Sequence, residues 1–137
     1  MYQRLVLVGN LGRDPEVHYS TDGVPIANFS VATHNKWADN EGQVQEETLW
    51  FRISAFGKLA EVCQEFLTKG HKVLIEGSLV ADPINGGPRV FIRKDGSTGS
   101  AFEVRATTVR FLSGKGEKQN GNSAQDETVA EQEPLFA

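Results

Sequence analysis

TLWFRISAF, residues 48–56, runs straight into GKLAEVCQEFLTKG, residues 57–70, and the apolar period changes at the junction. Before it, Leu49, Phe51, Ile53 and Ala55 alternate with Trp50, Arg52, Ser54 and Phe56. That period of two predicts a strand with one face toward a core. After it, Leu59, Val62, Cys63, Phe66 and Leu67 recur at three- and four-residue spacing, the single stripe of an amphipathic helix. Gly70 stands where a helix C-cap is expected, and Lys69 suits the last turn.

Outward from this junction the chain reads as strands. Arg4–Leu11 and Ile26–His34 lie before it, Lys72–Val80 and Phe102–Leu112 after it. Asp14-Pro15, Asp22-Gly23, Asn40–Gly42, Asn85–Pro88 and Asp95-Gly96 supply turns between them. Val90–Lys94 reads as one arm of an extra hairpin. Three strands, a short helix and two strands predict an all-β fold, a five-stranded Greek-key barrel plugged by one helix, the OB-fold. An open α+β sheet is the alternative left by the pattern. In the first strand Leu5 and Leu7 alternate with Val6 and Val8, so both faces are apolar. Either a second subunit or a loop of the same chain covers the outer one.

Composition divides the chain in two. Residues 1–114 carry 12 Lys and Arg against 13 Asp and Glu, while residues 115–137 carry 2 against 5. The body predicts one folded domain, near neutral, so any basic surface in it comes from clustering. The segment 115–137 is polar and acidic and predicts a disordered tail, because it has too little apolar surface to offset ordering entropy. A single cysteine, Cys63, excludes an internal disulfide and fits a reducing cytosol. The first ten residues, MYQRLVLVGN, lack the plan of a secretion signal, which predicts a cytoplasmic location. No apolar run approaches the roughly 20 residues of a membrane span.

The outer face of residues 48–56 sets Trp50, Arg52 and Phe56 side by side. Flat rings beside a guanidinium suit single-stranded nucleic acid, whose bases stack and whose backbone is anionic. A second core or a subunit interface would also explain buried aromatics there. Trp37, beside Lys36 in the polar run HNKWADNEGQ, reads as exposed on a projecting arm or packed under its own loop. Phe91, between Arg89 and Arg93-Lys94, reads as a second aromatic among cations or as an ordinary hairpin side chain. His18, His34, His71 and Cys63 show no metal-ligand spacing. GNLG at 9–12 lacks the Lys-Ser/Thr of a phosphate-binding loop. No catalytic residue, metal or cofactor is expected. A nuclease on this fold would need a carboxylate cluster, and none is visible in the strands.

LVLVGNLGRDPEVHY, VPIANFSVAT followed by Trp37, Thr48–Arg52, AFGKLAEVCQEFLTKG and VLIEG together resemble the bacterial single-stranded DNA-binding proteins over residues 1 to 114. The resemblance implies a homotetramer of OB-folds that coats single-stranded DNA in replication, recombination and repair. It implies base stacking on Trp37, Trp50, Phe56 and, in the last hairpin, Phe91. It implies phosphate contacts at Arg4, Arg52, Lys58, Lys69 and Arg89, to which the local pattern adds Lys36, Arg93 and Lys94. ADPINGG, residues 81–87, is an insertion against the family pattern. The family's acidic tail ends in acids, Pro and Phe and docks on replication and repair enzymes. Glu131, Glu133, Pro134, Leu135 and Phe136 keep that order, with Ala137 beyond them. A solvated spacer is the other reading of the tail. A related OB module serving a primosome or binding RNA is the alternative function.

Overall fold

The structure is a computed structural model that describes residues 1–112. The tail from 115 to 137 and its five candidate residues lie outside the described residues. Seven strands and one helix follow in the order β1 (Leu5–Leu11), β2 (Glu16–Tyr19), β3 (Pro25–Ala38), β4 (Val44–Phe56), α1 (Lys58–Phe66), β5 (Lys72–Val80), β6 (Arg89–Ile92) and β7 (Thr98–Phe111).

Five strands close on themselves. β1 pairs with β5, β5 with β7, β7 with β4, β4 with β3, and β3 returns to β1 at Ala32 and Val31. All these pairings are antiparallel except β4–β7, which runs parallel from Phe51↔Phe102 to Ser54↔Arg105. This is the expected five-stranded barrel. β2 and β6 are additions, paired on β3 and β7 respectively. The sequence pattern anticipated β6 but not β2.

The alternation read from the sequence fills the barrel. Ile53 and Ala55 of β4, Val73 and Ile75 of β5, and Val104 and Val109 of β7 are buried. Each Ile or Val taken fully out of water contributes about 1.5–3 kcal/mol relative to exposure. Helix α1 closes one end with Ala60, Val62 and Cys63 inward, and Leu67 seals the margin at 2% exposure. Leu49, expected in the core, is 40% exposed. β4 runs past the barrel there as the arm of a long hairpin with β3, so its inward pleat has nothing to face.

Gly70 does not cap α1. The helix ends at Phe66, and Leu67 turns extended with its N–H on the Cys63 carbonyl. Gly70 instead takes φ 91° in the following turn, where the His71 N–H reaches the Thr68 carbonyl. Lys69 therefore lies beyond the helix.

Three hairpins share one loop plan. In 20–24, 39–43 and 93–97 the first N–H donates to the fifth carbonyl, and the fourth N–H donates to the first carbonyl. The fourth residue is Gly23, Gly42 or Gly96, each with positive φ, a conformation that other residues adopt only at a cost. The insertion folds as its own loop. The Asp82 N–H donates to the Gly87 carbonyl, and the Asp82 carboxylate accepts from the Ile84 and Val90 N–H groups.

Candidate nucleic-acid interface

Residues opposite one another in a sheet share a face. The register of β3 on β4 runs unbroken from Ile26↔Phe56 to Ala38↔Val44. It puts Lys36, Trp50, Arg52 and Phe56 on one pleat, the outward one. Parallel pairing of β4 with β7 extends that face to Glu103, opposite Arg52, and Arg105, opposite Ser54. β6 extends it again, with Arg89 opposite Ala101 and Phe91 opposite Gly99. Residues from four strands, β3, β4, β7 and β6, thus form one continuous surface.

Trp50 is 53% exposed. It keeps its place because Gly12, at the end of β1, leaves room. A Cβ on Gly12 would lie 2.6 Å from Trp50 Cζ3. One edge of the indole is seated while the rest meets solvent. Phe91 is half-buried and lies across Gly99 in the same manner. The Arg52 and Arg93 guanidinium carbons stand 6.0 and 5.7 Å from its ring centre, within cation–π range. Arg93 also donates to the Thr98 carbonyl at 2.8 Å and to Ser97 Oγ at 3.3 Å, so it is folded against its own hairpin. Lys94, at the tip, is exposed.

Phe56 is half-buried, and Arg105 lies 4.2 Å over its ring centre. A base could reach this position only by stacking on the guanidinium or displacing it. Arg105 was not singled out in the sequence. Its only signal is its alternation with the buried Val104 and Ala106. Arg89 forms an ion pair with Glu103 at 3.3 Å.

Trp37 is 45% exposed, as a projecting arm requires. Its register partner is Gln45, on the pleat of Leu49 and Phe51, so Trp37 occupies the opposite pleat from Trp50. Lys58 opens α1, two residues after Phe56, and its charge meets the positive end of the helix dipole. Lys69 is held by its backbone, whose N–H donates to the Asp14 carboxylate at 2.8 Å. Arg4 belongs to another wall. It pairs with Glu76 at 3.4 Å and approaches Tyr2 and Thr107, beside the β-bulge where β5 slips against β7. Hydrogen bonding to Tyr2 and then Glu76 raises its already high pKa.

Cys63 is buried, and that burial pushes its thiol up to about 12, which keeps it protonated. Among the described residues no three His, Cys, Asp or Glu side chains are grouped to hold a metal ion. No helix among them is long and apolar enough to cross a membrane.

The model of the single-strand binding protein family matches residues 2–112. A single-stranded DNA-binding protein of Neisseria meningitidis serogroup A is 38% identical over 118 residues, 86% of this chain and 64% of its own length. This chain thus spans just under two thirds of that relative. Single-stranded DNA-binding protein 1 of Chlorobaculum tepidum is 34% identical over 98% of this chain and 77% of its own. Among solved structures, a Plasmodium falciparum single-strand-binding protein in complex with single-stranded DNA has a similar fold. Its TM-score is 0.68 at 24% identity, over 82% of this chain and 97% of that one. A deletion mutant of the Thermus aquaticus single-stranded DNA-binding protein gives 0.63 at 26%, over 82% and 51%. The barrel and the family model over residues 2–112 agree, and the chain belongs to the single-strand binding protein family.

Proposed function

We propose that this chain binds single-stranded DNA without sequence preference and performs no chemistry on it. One observation carries the reading: Trp50, Arg52 and Phe91 share a continuous outward face, with ring and guanidinium alternating across three strands. Bases stack on Trp50 and Phe91, on the Arg105-covered Phe56 and, from the other pleat of its arm, on Trp37. Arg52, Arg93, Lys36, Lys94, Lys58 and Lys69 meet phosphates. The stacking contribution, about 1–3 kcal/mol per base, is a value established on OB-folds of this same class. The names of the relatives and the DNA complex of the Plasmodium neighbour support the same substrate.

Val6 and Val8 point outward from β1 at 55% and 42% exposure, with no described loop over them. That supports the reading in which a second copy covers this strand, within a homotetramer. The tail reading rests on sequence alone. The acid-then-apolar end recruits replication and repair enzymes, and the acidic stretch competes with DNA for the cationic face. Deleting 115–137 should then raise DNA affinity at low salt, and an unchanged affinity discards that competition. Coating of DNA exposed in replication, recombination and repair, in the cytoplasm, completes the proposal.

The deciding experiment titrates the full chain with oligo-dT and follows tryptophan fluorescence at low and high salt. Duplex DNA is the control and an RNA oligomer of equal length the competitor. Strong quenching by the single strand that weakens with salt is expected. Tighter binding of RNA would favour the RNA-binding alternative, and steady cleavage of DNA would overturn the absence of chemistry.

A further inference from the structure

A carboxylate lies in the middle of the cationic face. Glu103 is opposite Arg52 in the register and forms an ion pair with Arg89 at 3.3 Å. Its side chain is 21% exposed, against 55% for that of Arg89. The acid is thus set into the surface and the base lies over it. Phe91 lies two residues along β6 from Arg89, on the same pleat. A nucleotide stacked on Phe91 brings its phosphate to that neighbourhood, where it meets a cation already neutralised.

We propose that Glu103 holds Arg89 in reserve and thereby sets the affinity of this face for single-stranded DNA. The inference rests on the DNA-binding reading above. For Arg89 to engage a phosphate it must leave Glu103, and the abandoned carboxylate then stands among phosphates. Like charges at that distance repel, which offsets most of what the new contact contributes. Native binding therefore neutralises one phosphate fewer than the count of arginines on the face implies. Glu103→Gln keeps the shape and an acceptor for Arg89 while removing the charge, so Arg89 becomes available.

The test measures oligo-dT affinity of the full chain across a salt series. The native chain is compared with Glu103→Gln, Arg89→Gln and the double variant, each checked for unchanged melting temperature and oligomeric state. Glu103→Gln should bind roughly two- to fivefold tighter at low salt, the scale of an exposed ion pair. Its log–log salt slope should steepen by about 0.7, the increment for one more phosphate on a single strand. Arg89→Gln in that background should return the slope to the native value. Equal tightening with and without Arg89, at an unmoved slope, would show a general field effect and overturn the proposal. Unchanged or weaker binding by Glu103→Gln would overturn it as well. Failure of the native chain to bind oligo-dT would remove the DNA reading and this one with it, whereas native binding with an unmoved Glu103→Gln slope removes this one alone.

Discussion

At the tip of the β3–β4 arm, Asp39 occupies the first position of the five-residue loop. Its Oδ1 accepts from the Glu41 and Gln43 N–H groups, both at 2.9 Å, and its Oδ2 accepts from Gln45 Nε2. At the tip of the β6–β7 arm the same position holds Arg93. The capping acceptor there is displaced to Asp95, which accepts from the Ser97 N–H at 2.9 Å and from its hydroxyl at 2.7 Å. Arg93 lies against Phe91 while its guanidinium donates to Ser97 Oγ and the Thr98 carbonyl. The two arms share a backbone plan and differ in what the first residue serves. One arm uses it to hold the loop. The other turns it toward the functional face and caps the loop from a neighbour. The aromatics differ likewise, since Phe91 shares the face of Trp50 and Arg52 while Trp37 occupies the opposite pleat.

The largest expected effect tests that division. Trp50→Ala should cost about 1–3 kcal/mol of oligo-dT binding, roughly 5- to 150-fold in Kd. Trp37→Ala should cost less, because its ring is not on the continuous face. Equal losses would mean that the strand wraps round the β3–β4 arm and uses both pleats. Gly12→Val comes next. The new side chain occupies the seat of the indole and should weaken oligo-dT binding by less than Trp50→Ala does. Unchanged binding would show that Trp50 acts without that seat.

Two smaller effects separate the tips. Arg93→Asp places the acceptor of one arm in the other. It should weaken oligo-dT binding roughly two- to fivefold at low salt, the range of a single exposed charge contact. Asp39→Arg, the reverse exchange, should loosen its loop, seen as faster amide exchange at Glu41 and Gln43. Tighter binding by Arg93→Asp would refute the functional reading of that tip.

Acid should loosen both tips. The N–H of Gln43 is the main cause that holds the Asp39 carboxyl below the usual carboxylate range, and the N–H of Ser97 does the same for Asp95. A depressed folded-state pKa stabilises fully above the unfolded value, about 3.9, and that stabilisation disappears as pH falls through the folded value. Amide protection at Gln43 and Ser97 should therefore be level from pH 7 to 5 and fall only below the ordinary Asp range. A transition near pH 6 would contradict this.

The barrel walls were legible because each carries a buried face of Val, Ile, Leu or Phe at period two. Strand β2 was not, since Glu16, His18 and Tyr19 of EVHY are exposed and only Val17 reaches the core. The Trp50–Arg52 face was legible from alternation alone. That Arg105 covers Phe56 was not, because it depends on parallel pairing between strands far apart in sequence. GNLG lacks the signature of a phosphate loop, and the role of Gly12 under Trp50 depends on packing that no local pattern marks. Trp37 was legible as exposed. Its pleat depends on a register that continues unbroken to Ala38, past the point where burial marks the period.

The 81–87 insertion closes on its own Asp82, with Ile84 at 93% exposure on the outside. A segment tied off at its base is an exchangeable cassette. Residues 83–85 can be replaced by a longer peptide, or Ile84 by a cysteine carrying a dye, with little strain passed to β5 or β6. Because the cassette leads directly into the strand bearing Phe91, a fluorophore there would report arrival of a ligand while both tryptophans stay native.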